Sequence, residues 1–251
     1  MEPGPDISPP PSRSPRTLPF AIGAVVVIVV VAVASLLWFR RGSSVMESPV
    51  VGRFDRADQP AASTERLWQP DGRTRGNPNA PVTLIEYSDF TCGYCVKFFR
   101  DTWPRLQKQY VETGKVRLLY RDYPRDPEGP AMTAAIAARC AGDQGHYWEM
   151  HDRLFGGPID IDRLQAFGKT IGLNQPAFAA CLRDAPHRQA ILQDKEDGIR
   201  IGFVGTPGFV LFRTDRAGKD KPIGLPGAFP ADVFEKEIDQ LLKLSETKNK
   251  G

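Results

Sequence analysis

The stretch N-A-P-V-T-L-I-E-Y-S-D-F-T-C-G-Y-C, residues 79–95, decides how the chain is read. Val82 to Ser88 is aliphatic, β-branched and aromatic, and it follows the turn cluster Asn77-Pro78-Asn79-Ala80-Pro81, so it predicts a buried strand. Beyond it, Cys95 to Tyr110 sets Val96, Phe99, Trp103, Leu106 and Tyr110 at spacings of three and four. That is an amphipathic helix, with Pro104 as a kink. Val116 to Tyr120 is the next strand, which completes a βαβ unit.

Between strand and helix stands Cys92-Gly93-Tyr94-Cys95. Two cysteines three apart across a helix N-terminus can close a reversible disulfide. The unsatisfied N–H groups and the positive dipole end there favour a thiolate on the first one. Cys92 is expected to be the acidic, exposed nucleophile, and Cys95, one turn in and shielded, the resolving thiol. Such a pair can also be half of a zinc site. Tetrahedral sites usually draw on a second close pair, however, and the other cysteines, Cys140 and Cys181, are single and 41 residues apart. No metal is expected.

Downstream, residues 129–201 turn helical. Ala131 to Ala141, His146 to Phe155, Asp162 to Ile171, Pro176 to Leu182 and Pro186 to Ile201 read as helices, punctuated by glycines and by Asp184. Phe209 to Arg213 is then a strand, Thr214 to Lys221 a turn, Pro222 to Leu225 a short strand, and Ala231 to Leu244 a final amphipathic helix. The order βαβ, helical insertion, ββα gives an α/β fold whose two halves together make one sheet. His146 and His151 are five apart among aromatic residues and read as packing or surface residues. Gly205 and Gly208 are too sparse for a phosphate loop and are expected to let the backbone turn closely. Lys243 to Lys250 is a solvated end.

Upstream, residues 1–17 hold six prolines with little to bury and predict a disordered tail. Leu18 to Phe39 runs without a charge, and as a helix at about 1.5 Å per residue it is long enough for a hydrocarbon core of about 30 Å. Ala32-Val33-Ala34 offers a cleavage pattern, but Leu36-Leu37-Trp38-Phe39 carries the apolar run past it, so an uncleaved transmembrane signal anchor is expected. Residues 40–75, dotted with Gly, Ser and Pro, read as a flexible tether to a domain over 76–251. Arg40, Arg41, Arg53 and Arg56 follow the span, against Arg13 and Arg16 before it. By that count alone the large domain is cytoplasmic, although long domains translocate largely regardless of charge.

The chain has 33 Lys+Arg against 30 Asp+Glu, a balance that argues against a nucleic-acid partner. Hydrophobic residues at 41% and charged residues at 25% are globular values. Four cysteines are too few for a disulfide scaffold.

At these residues the chain resembles the DsbA-like branch of the thioredoxin superfamily. The resemblance is carried by residues 79–95, by A-G-D-Q-G-H-Y-W-E-M-H-D-R-L-F at 141–155, and by V-G-T-P-G-F at 204–209. It implies a thioredoxin fold interrupted by a helical domain. The implied activity is thiol:disulfide exchange outside the cytoplasm, which decides the orientation of the anchor. No cofactor is implied. By position, Pro207 matches the family's cis-proline beside the disulfide, and Thr206 would offer backbone groups to an extended substrate segment. Without the cysteine pair, Thr206-Pro207 reads only as a strand-initiating turn. Glu86 matches the family's buried acid, whose raised pKa suits relay of the Cys95 proton. The other reading is a Glu on the strand's solvent face.

In an oxidising compartment Cys140 and Cys181 are expected to form a structural disulfide across the helical block, the alternatives being two unpaired cysteines or a second redox couple. The dipeptide Gly93-Tyr94 departs from the C-P-H-C of strong oxidases. With Thr206 before the cis-proline it is similar to isomerases and some reductases. Those isomerases add a dimerisation domain, which residues 40–75 are too short to supply, so a disulfide donor is favoured. Its partners would be reduced or misoxidised extracytoplasmic proteins, and a quinone-linked membrane protein of the DsbB or vitamin-K-epoxide-reductase type. A Cu(I)-handling thiol module is the alternative from another class, unsupported by the 4 Met and 3 His of the chain.

Overall fold

The computed structural model describes residues 52–53 and 68–248, with side chains to residue 245. The Pro-rich tail over 1–17 and the expected membrane span over 18–39 lie outside the described residues. Among those described, no helix is long and apolar enough to cross a membrane.

A six-stranded sheet, ordered β1-β6-β5-β3-β4-β2, carries the fold. At its centre β3 (Val82–Ser88) is buried along its whole length. It pairs in parallel with β4 (Val116–Asp122) and antiparallel with β5 (Gly208–Arg213). A strand covered on both faces reads as a near-continuous apolar run, which is why V-T-L-I-E-Y-S was recognisable. β6 (Ile223–Pro226) continues the sheet beyond β5.

Two short strands come from the stretch read as a tether. β1 (Gly52–Arg53) pairs with β6, and β2 (Thr74–Arg75) pairs with β4. The Trp148 indole donates to the Thr74 carbonyl at 3.1 Å, and Arg73 is buried. The folded unit therefore begins before Gly76. Two-residue strands carry no period-2 signal, so nothing in the local pattern marked them.

The helix after β3 starts earlier and winds differently than the spacing predicts. It opens as α1 (Gly93–Lys97) and passes through a π-helical segment, Phe98–Thr102, into α2 (Trp103–Leu106). A second π-helical segment, Gln107–Val111, ends it. The first π segment ends two residues before Pro104, whose missing N–H takes a rung out of the i→i−4 ladder. Phe98, Trp103 and Leu106 pack with Val82 and Leu84 of β3 and with Phe234 and Ile238 of α8 (Ala231–Lys248). Within that layer the rings of Phe98, Phe209 and Phe234 lie 4.5 to 5.5 Å apart.

The insertion is helical, as expected: α3 (Pro130–Gly142), α4 (Tyr147–Leu154), α5 (Ile161–Thr170), α6 (Gln175–Asp184) and α7 (Arg188–Arg200). Cys140 of α3 and Cys181 of α6 are bonded to each other, with their Cα atoms 5.9 Å apart. A buried ionic network fastens the insertion to the sheet. Asp194 Oδ2 of α7 accepts from Arg73 Nη1 at 2.6 Å and Arg139 Nη2 at 2.7 Å. Asp122 Oδ2 at the end of β4 accepts from Arg73 Nη1 at 3.0 Å and Arg139 Nε at 2.7 Å.

Candidate active site

The loop leaving β3 is organised by Asp89, a buried residue that the sequence reading passed over. Its Oδ1 accepts from the Thr91 N–H and the Thr91 hydroxyl, each at 2.7 Å, and its Oδ2 from the Arg125 N–H at 2.9 Å. Its carbonyl accepts the Cys92 N–H at 3.0 Å. An Asp two residues before a Thr at the end of a strand is an Asx-turn signal, and it was available in D-F-T. The turn delivers Cys92 as the extended residue that caps α1, φ −78° and ψ 122°, its own carbonyl accepting the Val96 N–H at 2.9 Å.

Cys92 and Cys95 are unbonded thiols here. Cys92 is not the exposed group expected. Only 3% of it is accessible, because its Sγ lies under the loop before Pro207, 3.5 Å from the Thr206 carbonyl oxygen. The Cys92 pKa is brought down to about 5, chiefly by a hydrogen bond from the Cys95 thiol, then by the Thr206 side chain and the N–H groups of Cys95 and Tyr94. Burial opposes this and is outweighed. The Cys95 pKa moves the other way, pushed up by burial and by its neighbour Cys92. One thiol is thus ready to ionise and the other to keep its proton. Tyr94, 69% exposed, and Val204, fully exposed, put apolar surface on the active-site turn and on the Thr206 loop.

The Thr206–Pro207 bond is cis. The Thr206 hydroxyl is buried without a hydrogen-bond partner, and the Pro207 carbonyl accepts the Gly227 N–H at 2.8 Å. The two glycines nearby differ. A Cβ on Gly208 would meet the Phe203 ring at 2.5 Å, so its lack of a side chain allows a close approach, whereas one on Gly205 would meet nothing within 4 Å.

Glu86 is on the buried reading, not the solvent-face one. It is 3% exposed on the central strand, and burial pushes its carboxyl up to about 7 against the pull of Ser88 and the Arg75 guanidinium. Ser88 is two residues along the same face of β3, and its hydroxyl works against the rise of both the Glu86 and the Cys95 pKa. Arg75 belongs to the supposed tether. It holds Asp152 through both carboxylate oxygens, at 2.9 and 2.8 Å, and lies 4.3 Å over the Trp148 ring. His151 is buried in an aromatic cage that includes Phe90 and Tyr120, at ring separations of 5.5 and 4.7 Å. Phe90 shares its core with Cys92 and Cys95. His146 is half exposed, 3.4 Å from Glu149.

The family model described as Thioredoxin matches residues 69–219. A Na(+)/H(+) antiporter NhaA of Salinispora arenicola is 33% identical over 140 residues, which are 55% of this chain and 21% of that protein. A Rickettsia conorii protein assigned as a protein-disulfide oxidoreductase is 23% identical over 187 residues, 70% of this chain and 62% of that one. This chain therefore spans between a fifth and two thirds of these relatives. Among solved structures, alpha-DsbA1 of Wolbachia pipientis superposes with a TM-score of 0.65 at 26% identity, covering 74% of this chain and 98% of that one.

Proposed function

Because the chain belongs to the thioredoxin family, as a DsbA-like member, we propose that it is a thiol:disulfide oxidoreductase that donates the Cys92–Cys95 disulfide to protein thiols. The observation that carries this is the opposite displacement of the two thiols, Cys92 down to about 5 and Cys95 upward. A stabilised Cys92 thiolate stabilises the reduced pair, which makes the disulfide a stronger oxidant.

In the oxidised enzyme a substrate thiolate attacks Cys92 Sγ, forming a mixed disulfide and expelling Cys95 as a thiolate. Cys95, whose thiol holds its proton tightly, takes one from Glu86, which near pH 7 is still partly protonated. A second substrate thiolate then attacks the substrate sulfur of the mixed disulfide, and Cys92 leaves as a thiolate. Two electrons pass from the substrate dithiol to the pair. Val204, Thr206 and Tyr94 would seat the extended substrate chain.

The apolar run 18–39 would tether the enzyme, with the domain on the extracytoplasmic side among reduced or misoxidised proteins. A quinone-linked membrane partner of the DsbB or vitamin-K-epoxide-reductase type would reoxidise it. The occurrence of a similar segment within an antiporter is in keeping with membrane attachment. That antiporter's name describes the longer protein and lends this chain no transport role. The Gly93-Tyr94 dipeptide favours a second reading, an isomerase or reductase.

Equilibration of the pair against glutathione buffers, read by thiol trapping and mass, separates the readings. A potential near about −120 mV identifies a donor, and one near about −270 mV a reductase. Loss of oxidation of a reduced unfolded protein in Cys92→Ser tests the activity itself, and an alkaline phosphatase fusion after residue 251 tests the side of the membrane.

A further inference from the structure

We propose that Cys140, Cys181 and His187, supported by Asp143, bind a zinc ion when the Cys140–Cys181 disulfide is reduced. The two sulfurs and an imidazole nitrogen of His187 lie within 4.8 Å of one another. His187 Nε2 is 2.7 Å from Asp143 Oδ2, which is also 3.8 Å from Cys181 Sγ. Cys140 and Asp143 sit three apart at the end of α3, while Cys181 lies in α6 and His187 caps the start of α7. The three donors and their supporting carboxylate therefore come as two close pairs, C-x2-D and C-x5-H. Cys140 and Cys181 each lack a second cysteine close in sequence, and their companions are of other types.

Zinc takes thiolate sulfur at about 2.3 Å and imidazole nitrogen at about 2.0 Å, so tetrahedral ligands stand roughly 3.5 Å from each other. Opening the S–S bond lets the sulfurs part to that spacing with the imidazole already beside them. A carboxylate on the imidazole is the arrangement that fixes the orientation of a ligating histidine. The site has an open side, since Cys140 is buried but the Asp143 and His187 side chains are 54% and 24% exposed. Both line a cleft of about 260 Å³ together with Arg73 and Arg139. Those two cations are held by Asp122 and Asp194, which leaves Asp143 to His187.

In the disulfide neither sulfur is a thiolate, and the site does not form. A dithiol reductant passes two electrons to the bond, becoming a cyclic disulfide and leaving Cys140 and Cys181 as thiols. Zinc then displaces their two protons to solvent and forms two Zn–S bonds, with no change in its own oxidation state. The helical block is pinned by a disulfide under oxidising conditions and by metal under reducing ones.

The test uses the full chain in detergent carrying Cys92→Ser and Cys95→Ser, so that the active-site thiols neither compete for metal nor decide the outcome. Reduced with dithiothreitol, desalted anaerobically and titrated with Co(II), it is expected to give a one-to-one complex. That complex shows sulfur-to-cobalt charge transfer and tetrahedral visible bands, both erased by Zn(II). His187→Ala should weaken binding ~10-fold or more, and the unreduced protein should not bind. If reduction unfolds the metal-free protein, zinc is expected to restore the helical circular dichroism in this background and not with His187→Ala added. Absence of a one-to-one complex, binding unchanged by reduction, or binding or refolding indifferent to His187→Ala overturns the proposal.

Discussion

The Sγ of Cys92 lies 3.5 Å from the carbonyl oxygen of Thr206, and the hydroxyl of the same threonine is buried with no partner of its own. The thiol donates a hydrogen bond to the carbonyl, while the thiolate that replaces it can accept one from the hydroxyl. Thr206→Val keeps the first contact and deletes the second. The Cys92 pKa should rise from about 5 by on the order of one unit, about 1.4 kcal/mol of lost thiolate preference. Iodoacetamide alkylation against pH reads this directly. The wild-type rate should be flat above about pH 6 and fall through pH 5, and a variant with the same midpoint would remove Thr206 from the account.

Glu86→Gln separates a proton carrier from a packed side chain. With a folded pKa near 7 against an ordinary 4.5, wild-type Glu86 binds a proton in the native state that the unfolded chain has lost. Stability contributed at this position is therefore present below pH 4.5 and is lost as pH rises to about 7, by ~3 kcal/mol. The urea midpoint of the variant should gain on that of the wild type across this range. Single-turnover oxidation of a substrate dithiol should slow by ~100-fold and lose its inflection near pH 7. A variant with an unchanged pH profile would leave Glu86 a structural residue.

Asp194 is 2% exposed and receives two guanidinium groups, from Arg73 and Arg139. Removing one partner leaves buried charge uncompensated, so Asp194→Ala should cost ~3–5 kcal/mol. The loss should appear as a lower melting temperature for the whole domain, because the network joins the segment before β2, the sheet and the insertion.

The Cys140–Cys181 bond closes a separation of 41 residues, for which the chain-entropy account gives ~3–4 kcal/mol. Cys140→Ala with Cys181→Ala should lower the denaturation midpoint accordingly while leaving Cys92 reactive toward substrate thiols. A loss of exchange with stability intact would instead make the bond part of the redox machinery.

The central parts of this site were readable because each is a local pattern. β3 is a near-continuous apolar run and C-G-Y-C starts a helix, while Thr206-Pro207, by pattern a turn before a strand, was assigned to the site by the resemblance. What escaped was non-local or too short. Arg75 acts on the Glu86 carboxyl through its charge, from a two-residue strand that has no periodicity. The π-helical turn over Phe98–Thr102 buries Cys95, Phe98 and Trp103, leaving Val96 and Phe99 half-buried against the insertion, so a period of three and four did not locate the buried face. The shielding of Cys92 depends on a loop 114 residues away. His187 became a companion of Cys181 only once α6 and α7 were folded against α3.

A catalyst of the proposed kind, whose substrates would be unfolded chains, must not offer them a template for aggregation. The sheet's long strands, β3, β4 and β5, all lie inside it, and its two edges are finished by β1 and β2, each only two residues long. Such short edges give an incoming extended peptide little ladder to lengthen. On the proposed function, the Val204–Thr206 loop, outside the ladder and bearing the fully exposed Val204, would be where a visiting strand settles, directly against the Cys92 sulfur. The same economy of edge that would keep such an enzyme from sticking to its clients would leave them the one sulfur that serves them.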